Sequence, residues 1–285
     1  MVDIWPSELN IKIVDQIIDI ALEEDIGYGD LTSKAVITPE TIFTGVMSAR
    51  EEMVCAGLPI AGRIFKRYSK DILWEADVID GEKVAGNTTL ARISGPAIDL
   101  LTAERTAINI LQYLSGIATL TRKYVEAISD LDTILLDTRK TTPVYRHLAK
   151  YATRMGGATN HRMSLDDGVL IKDNHIAVAG NITEAVKRAQ KANLQKIEVE
   201  CDNLDQVKDA LKAGADMILL DNMTVNQMKE AVEVIEDKVP TEASGDINIK
   251  TIRAKAATGV TYLSVGRLTH SAPAVNIGLD WTHRV

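Results

Sequence analysis

Residues Leu135–Ile176 read LLDTRKTTPVYRHLAKYATRMGGATNHRMSLDDGVLIKDNHI, and the rest of the chain is best interpreted outward from this stretch. The whole chain has a formal net charge of -8, whereas the stretch has seven lysines and arginines against four aspartates, a net charge of +3. Three of the five histidines, His147, His161 and His175, also lie here. A cationic cluster in an acidic chain is typical of a pocket that concentrates its field on a small anion, not of a polyanion-binding surface.

Three motifs in the stretch have ordinary structural interpretations when each is taken alone. TRK is typical of a solvated strand end, GGATNHR of a surface loop, and KDNH of a turn between a strand and a helix. Each of them nevertheless follows an apolar run and ends in cationic residues. Together they favour one anion-binding site at the ends of several strands.

Composition indicates a globular protein with a sizeable core. The 285 residues are 46% hydrophobic and 25% charged, which suits one large domain or two smaller ones. The sequence contains no apolar run of about 18 residues, so no membrane span is predicted. The opening MVDIWPSELN lacks the pattern of a secretory signal. Cys55 and Cys201 lie in apolar surroundings and are predicted to be buried thiols in a reducing cytoplasm. The acidic balance argues against a nucleic-acid partner.

The first part of the chain is predicted to be a small α+β domain, residues 1–115. Residues 11–24 have the apolar spacing of an amphipathic helix. Between 41 and 100, the short runs VMSARE, MVCAG, LWEAD and TTLARI predict strands, with a turn at Ser94-Gly95-Pro96. Residues 97–129 are again helical in pattern, and we interpret Ser115-Gly116 as the interruption that leads into the second domain.

After Leu131 the pattern alternates between strands and helices and predicts an incomplete TIM-like (β/α) barrel over residues 116–274. The runs DTILLD, GVLIK, QKIEVE, DMILLD, PTEASG and TYLSVG are short and apolar, as in a parallel sheet covered on both sides. Six strands are fewer than the eight of a full barrel. Residues 275–285 alternate apolar and polar, which predicts a strand returning to the N-terminal sheet. The fold class is therefore α/β, with an N-terminal α+β domain.

Polar residues follow the predicted strands, at the edge where such barrels bind their substrates. The side chains expected beside the first strands are Thr138, Arg139, Lys140, His161, Arg162 and Lys172. Glu200 and Asp221 end successive strands, and magnesium suits such carboxylates better than zinc does. Glu198 shares a face with Glu200 and could take part of its role. The last two strands end in Ser244-Gly245 and in GRLTHS, Gly266–Ser271, where glycine backbone amides can hold a phosphate.

The motifs also resemble a known family, over nearly the whole chain and in order. LDTRKTTP, GGATNHR, LIKDNHI, IEVE, LLDN, EASG and VGRLTHSAPAVNIGLD, with EDIGYGDLTS and LTAERTAINILQYLSGIAT upstream, resemble quinolinate phosphoribosyltransferase (decarboxylating), the nicotinate-nucleotide pyrophosphorylase of NAD synthesis. The resemblance implies an open-sided α/β barrel and transfer of phosphoribosyl from phosphoribosyl pyrophosphate to quinolinate. It also implies a homodimer, or a higher homo-oligomer such as a hexamer, in which Arg105 is donated in trans.

The resemblance assigns a role to each candidate residue. Quinolinate would be bound by Arg105, Arg139, His161, Arg162 and Lys172, and Thr138 is a further candidate for substrate binding. The phosphoribosyl half would be surrounded by Lys140, Glu200, Asp221, Ser244, Gly245, Gly266 and His270, and Asp246 and Arg267 are further candidates for substrate binding. Lys140, Glu200 and Asp221 would be catalytic, with Glu200 and Asp221 also holding Mg2+.

The chain departs from the family pattern at three places. Val144 stands where the family usually has glycine after TTP, Ala158 replaces the third glycine before NHR, and Asp246 replaces a glycine after Ser-Gly. Asp246 adds a negative charge beside the predicted phosphate site. None of the three removes a charged residue of the site.

Three alternatives stay open from sequence. A related molybdenum-transport-associated protein shares this architecture but tends to depart at NHR and KDNH, which this chain keeps. A Schiff-base aldolase would use Lys172 as its nucleophile. A non-catalytic phosphosugar-binding protein would bind the same phosphate without turnover.

Overall fold

The computed structural model describes residues 5–282, and the contacts between residues divide the chain into two units. Within the described range, the first unit contains the residues up to Arg122, then Thr141–Gly157, and the residues from Thr269 onward. The second unit contains Lys123–Lys140 and Ala158–Leu268. This division differs from the predicted boundary between residues 115 and 116. Residues 1–4 of the predicted N-terminal domain and 283–285 of the predicted tail strand lie outside the described range.

The first unit is built on an antiparallel sheet. Its strands are β1 (Ile42–Ala49), β2 (Met53–Val54), β3 (Leu73–Ala76), β4 (Lys83–Val84), β5 (Thr89–Pro96) and the last strand of the chain, β12 (Ile277–Trp281). The main sheet has the order β12-β1-β5-β3, and β2 pairs with β4. Because Gly45 lies opposite Trp281 and Ala49 opposite Ile277, the predicted return of the tail to this sheet is confirmed.

Three helices precede the long helix of this unit: α1 (Ile11–Ile26), α2 (Leu31–Val36) and α3 (Leu58–Tyr68). The Asn10 side chain caps α1 by accepting from the backbone N–H groups of Lys12 and Ile13. The predicted apolar stripe of α1 is buried at Val14, Ile17, Ile18 and Leu22.

Two local predictions in the first unit are wrong. The long helix α4 (Ala97–Glu126) runs through Ser115-Gly116 without interruption. A Cβ atom at Gly116 would stand 2.1 Å from the carbonyl oxygen of Pro273, so this glycine permits a close approach of backbone and is not a helix break. Ser94-Gly95-Pro96 forms no turn but ends β5, where Gly95 pairs with Phe43 and Pro96 with Ile42.

The second unit contains all six predicted strands in one parallel sheet, which confirms the predicted fold class. They are β6 (Ile134–Leu136), β7 (Val169–Ile171), β8 (Ile197–Cys201), β9 (Met217–Asp221), β10 (Thr241–Ser244) and β11 (Tyr262–Ser264). Their order is β6-β11-β10-β9-β8-β7. Since β6 and β7 are the two ends of this order and do not pair with each other in the described sheet, the barrel is open, as the strand count predicts.

The remaining helices are α5 (Arg146–Met155), α6 (Asp173–Ala179), α7 (Ile182–Lys191), α8 (Leu204–Ala213), α9 (Val225–Ile235), α10 (Ile252–Ala256) and α11 (Arg267–His270). Side chains such as Val199, Ile218 and Leu220 are fully buried in the layer beside the sheet. Both cysteines are buried free thiols, as predicted. None of the described helices is long and apolar enough to cross a membrane.

Candidate active site

Asp137 joins two of the sequence motifs at the end of β6. It is fully buried, and its carboxylate accepts hydrogen bonds from Asn160 Nδ2 at 2.6 Å and from the backbone N–H of His161 at 2.9 Å. Thr159 adds backbone hydrogen bonds to Leu135 and Asp137. Thr138 then accepts from the backbone N–H of Lys140 at 3.1 Å, which shapes the turn that presents Arg139. The TRK and NHR motifs therefore form one structured edge.

Arg139 and Arg162 are close neighbours at this edge. Burial, followed by the nearby Arg139, lowers the pKa of Arg162, while Glu198 acts in the opposite direction. Arg162 Nη1 donates to the carbonyl oxygen of Gly168 at 2.7 Å, which fixes the direction of its guanidinium. Arg139 Nε is buried and has no hydrogen-bond partner among the described residues. Two half-buried guanidinium groups with an unused donor favour an anionic ligand.

Lys172 and Glu200 form an ion pair at the ends of β7 and β8. The Glu200 side chain is mostly buried, whereas that of Lys172 is 45% exposed, so the pair lies at the boundary between the protein interior and solvent. Lys172 is also the N-cap of α6, and its backbone N–H donates to His175 Nδ1 at 2.9 Å. Because its Nζ atom is engaged with Glu200, Lys172 does not present the free amine that a Schiff-base aldolase needs.

The ends of β9 and β10 carry the second carboxylate and the glycine turn. Asp221 lies opposite Ser244 and accepts from Asn222 Nδ2 at 2.6 Å. Gly245 has a φ of +85°, and a Cβ atom there would stand 2.1 Å from Asn222 Oδ1. Lys255 Nζ donates to the Gly245 carbonyl oxygen at 2.5 Å. The turn is therefore held from both sides with its backbone close to Asn222.

Asp246 follows Gly245 with a left-handed backbone, φ 45°. The Lys255 side chain lies near this charge. Burial lowers the pKa of Lys255, whereas Asp246 and Asp221 raise it. The negative charge that the sequence places beside this loop thus lies next to a buried ammonium group.

His161 belongs to the second unit and lies beside two buried glutamates. Its Nε2 atom lies 3.2 Å from Glu242 Oε2 and 3.6 Å from Glu198 Oε2, while Nδ1 accepts from the backbone N–H of Arg162 at 2.8 Å. Burial acts to lower the pKa of His161, whereas the two carboxylates act to raise it. A cationic ring would carry a proton on Nδ1, however, and the N–H of Arg162 points at that atom. We therefore assign the neutral tautomer with its proton on Nε2.

Arg105 and His270 belong to the first unit, whereas most candidate residues belong to the second. Arg105 is exposed within α4, between the buried Ala103 and Thr106. His270 ends α11 and its Nδ1 lies 2.6 Å from Ser271 Oγ. Gly266 is half-buried after β11, and Arg267 begins α11 with an exposed side chain.

Three residues at the site have no place in the interpretation of the sequence. They are Glu242, Asn222 and Lys255. For Glu242 a signal exists, because a carboxylate within the apolar strand run PTEASG is rarely buried without a reason. Lys255 offers no signal, since a lysine on a short helix is usually exposed.

The fold is an open α/β barrel with an N-terminal α+β domain, and cationic and carboxylate side chains lie at the ends of the barrel strands. The models of the N-terminal and C-terminal domains of quinolinate phosphoribosyl transferase match residues 30–115 and 117–280. The chain belongs to the quinolinate phosphoribosyl transferase family, which confirms the resemblance seen in the sequence.

Individual relatives agree with the family assignment. The chain is 40% identical to the probable nicotinate-nucleotide pyrophosphorylase of Bacillus subtilis, over 91% of this chain and 90% of that protein. It is also 40% identical to the nicotinate-nucleotide pyrophosphorylase of Mycobacterium leprae, over 91% and 94%. The structure of the nicotinate-nucleotide pyrophosphorylase from Francisella tularensis matches with a TM-score of 0.92 at 39% identity, covering 96% of this chain and 98% of the other.

Proposed function

We propose that this chain carries out its family's reaction at the carboxyl edge of the β6–β11 sheet. It is a quinolinate phosphoribosyltransferase (decarboxylating), an enzyme of NAD biosynthesis. The substrates are quinolinate and phosphoribosyl pyrophosphate, and the products are nicotinate mononucleotide, carbon dioxide and pyrophosphate. The observation that carries the proposal is the Arg139–Arg162 pair, whose buried Nε donor has no protein partner within residues 5–282.

The quinolinate subsite is proposed to lie at the ends of β6 and β7. Quinolinate carries two carboxylates on neighbouring ring carbons, and guanidinium groups bind carboxylates through paired N–H donors. Arg139 and Arg162 supply such donors, Lys172 adds a point charge, and Thr138 orders the turn beside them. The ring nitrogen is thereby held toward the phosphoribosyl half of the site.

The phosphoribosyl subsite is proposed to lie at the ends of β8 to β11. Glu200 and Asp221 would accept hydrogen bonds from the ribose hydroxyls and stabilise the positive charge that develops at C1. Ser244, Gly245, Asp246, Gly266, Arg267 and His270 would surround the phosphate. The Gly245 turn suits this role because a residue without Cβ lets the backbone approach closely. Lys140 would neutralise the departing pyrophosphate.

The reaction needs mainly fixed charges. The quinolinate nitrogen forms a bond to C1 as the bond from C1 to the pyrophosphate oxygen breaks, with the electron pair leaving on pyrophosphate. The carboxylate next to the ring nitrogen then departs as carbon dioxide, and the carbon that it leaves takes a proton from solvent. Cations that stay in place during these steps stabilise the charges without reorganisation, which is usually the largest part of catalysis.

Magnesium fits the donors at the ends of β8 and β9. Both are carboxylates, and each accepts one contact from the protein, Glu200 from Lys172 and Asp221 from Asn222. Two protein ligands are few, as is usual for magnesium that takes its other ligands from substrate phosphates and water. When bound, the ion would neutralise the pyrophosphate. Glu198 is not part of this pair, since it is buried beside His161.

We also propose that the enzyme works as a homodimer or a higher homo-oligomer such as a hexamer, with Arg105 donated to the neighbouring subunit's site. The exposed position of Arg105 on α4 supports this, because the side chain is available to a partner. A cytoplasmic location stays a prediction from the sequence. Nothing in the described residues favours the molybdenum-associated alternative or a non-catalytic phosphosugar-binding protein.

One assay tests the proposal directly. The purified protein is incubated with quinolinate, phosphoribosyl pyrophosphate and magnesium, and nicotinate mononucleotide and pyrophosphate are measured. Nicotinic acid in place of quinolinate is the control, because it has one carboxylate and should be a poor substrate. Absence of nicotinate mononucleotide with the intact protein would reject the function.

A further inference from the structure

Glu198 and Glu242 form a buried carboxyl pair that no step of the reaction uses. Glu198 lies in β8 and Glu242 in β10, on either side of β9, and their side chains are 5% and 1% exposed. Glu198 Oε1 and both oxygens of Glu242 have no hydrogen bond of good geometry among the described residues. Burying carboxylates in this way is costly, and apolar residues would serve a purely structural sheet better.

The pair is connected to the cationic edge through one side chain. His161 Nε2 faces both carboxylates, and His161 Nδ1 accepts from the backbone N–H of Arg162. The ring therefore lies between the two carboxylates and the backbone N–H of Arg162, and it connects the buried pair to the segment that carries Arg162. Glu198 also offsets the repulsion between Arg162 and Arg139. Its charge raises the pKa of Arg162, whereas burial and Arg139 lower it.

A metal ion is the other occupant to consider. His161, Glu198 and Glu242 are the one group of three His, Cys, Asp or Glu side chains in residues 5–282 whose ligand atoms all lie within 4.8 Å of one another. Two observations favour the proton-bearing ring over a metal. His161 Nε2 lies 3.2 Å from Glu242, where the assigned tautomer directs its proton, and the cationic Arg162 is close enough to Glu198 for that carboxylate to act on its pKa. A divalent ion would add to that positive charge.

We propose that Glu198 and Glu242 are positioning residues that act through the His161 ring to hold Arg162 in place for the pyridine dicarboxylate. This inference rests on the proposed function. It assigns to His161 a supporting role between the carboxyl pair and the substrate-binding arginine. Arg162 is the group that touches substrate, and the two glutamates set its place.

The test uses Glu242→Gln in the full-length protein, because glutamine keeps the size and an acceptor but removes the charge. Quinolinate binding is measured alone by titration calorimetry, and KM values are measured for both substrates. A displaced donor weakens binding of its own ligand, so the quinolinate Kd and KM should rise by about tenfold or more. The KM for phosphoribosyl pyrophosphate should change little, a split that general loss of stability would not produce. Glu230→Gln, an exposed carboxylate on α9, is the matched control and should behave like wild type.

A double-mutant cycle separates positioning from independent effects. His161→Leu alone should also raise the quinolinate Kd, and adding Glu242→Gln to it should have little further effect, because both changes break the same connection. If the effects of the two changes on the quinolinate Kd multiply in the double variant, the proposal is overturned. An unchanged quinolinate Kd in folded Glu242→Gln would do the same. If that variant does not fold, Glu198→Gln is measured by the same criteria.

Two further outcomes are distinguishable. A stoichiometric metal that survives dialysis in wild type and is lost in Glu242→Gln would overturn the positioning role in favour of a metal centre. If the wild-type protein itself fails to make nicotinate mononucleotide, the proposed function has failed, and the quinolinate titration then decides whether the site binds the dicarboxylate at all.

Discussion

At the residue scale, hydrogen bonds within the protein fix the positions of the charged groups of the site and leave some of their donors available to a ligand. Asp137 binds the backbone and side chain of the NHR motif, Gly168 orients Arg162, and Lys255 supports the Gly245 turn. One of these acceptors, Asp137, is fully buried, the other two are backbone carbonyls of half-buried glycines, and all three contacts form within the protein without substrate. The donors left over, above all Arg139 Nε, are the groups available to an anion.

Replacing Arg162 by alanine should reduce kcat/KM for quinolinate by about 10²–10³, the usual effect of losing one fixed donor of this kind. Steady-state kinetics with varied quinolinate measure the change. Arg253→Ala is the control, because Arg253 pairs only with the exposed Asp130 and the carbonyl of Ala127 in the contacts seen here. Near-normal quinolinate turnover of the Arg162 variant would contradict the assignment.

Asp221→Asn should weaken binding of phosphoribosyl pyrophosphate in the presence of magnesium and leave quinolinate binding intact. The amide keeps the shape but loses the charge that magnesium and the ribose hydroxyls would meet. Calorimetric titration of each substrate, with magnesium varied, measures this. Asp205→Asn on α8 changes an exposed carboxylate that pairs with Lys208, and it should alter neither. A loss of quinolinate binding instead would reverse the roles proposed for the two halves.

Sequence reasoning found the charged residues at the ends of the strands, and Glu198 beside Glu200, but it missed Glu242 in β10. Arg139, Lys172, Glu200 and Asp221 are visible because each comes at the end of an apolar run. Glu242 lies within β10 and is buried. Its place beside Glu198 depends on the strand order, which brings β8 and β10 to either side of β9. The direction of the His161 ring depends on hydrogen bonds between residues remote in sequence. Such contacts have no local pattern, so only the structure reveals them.

At the element scale, the loops after the strands are held in strained or unusual backbone. Gly245 has positive φ next to Asn222, and Val144 has φ 71° despite its branched Cβ. Val144 is the position where the family usually has glycine, so the sequence departure and the backbone conformation coincide. A β-branched residue in this region is disfavoured.

Val144→Gly should stabilise the protein. A non-glycine residue in left-handed conformation costs about 1–3 kcal/mol, whereas the added freedom of glycine in the unfolded chain costs only about 0.4–1 kcal/mol. Little packing is lost, since Val144 is 69% exposed. Urea unfolding measures the change in free energy. Val178→Gly is the control, because Val178 is also exposed, at 88%, but helical, and there glycine should destabilise.

Gly245→Ala should raise the KM for phosphoribosyl pyrophosphate, because its Cβ would meet Asn222 Oδ1 at 2.1 Å and Asn222 N at 2.7 Å. The backbone beside Asp221 must then move. Gly180→Ala isolates this effect: Gly180 also has positive φ, at 105°, but nothing within 4 Å of a Cβ. Both variants should lose some stability in urea unfolding. Equal kinetics for the two would show that the loop tolerates displacement.

The elements themselves were largely predictable, since all six barrel strands and α1 follow from apolar periodicity. The errors occurred where a glycine has a tertiary reason. Gly116 admits the backbone of Pro273, and Gly95 lies close to the backbone of Ile72. A sequence shows that a glycine lacks a side chain, but it does not show which neighbouring backbone segment needs the space that this leaves.

At the scale of the whole molecule, a shared active site can be tested by mixing inactive subunits. If Arg105 acts in trans, a mixed dimer of Arg105→Ala and Lys172→Ala has one site with both changes and one site with neither. Refolding the two variants together should then restore part of the activity of wild type. The amount of product is measured after native mass spectrometry has confirmed mixed dimers. An inactive mixture would show that each site uses its own Arg105.

The pairing of β12 with β1 also determines the order in which the molecule can be completed during synthesis. Residues 42–49 leave the ribosome early, but their outer neighbour in the sheet is residues 277–281, which leave it after every strand of the second unit. An open strand edge can pair with other chains, so the nascent protein has to protect this edge throughout elongation. The unit that emerges first is therefore the last to be finished.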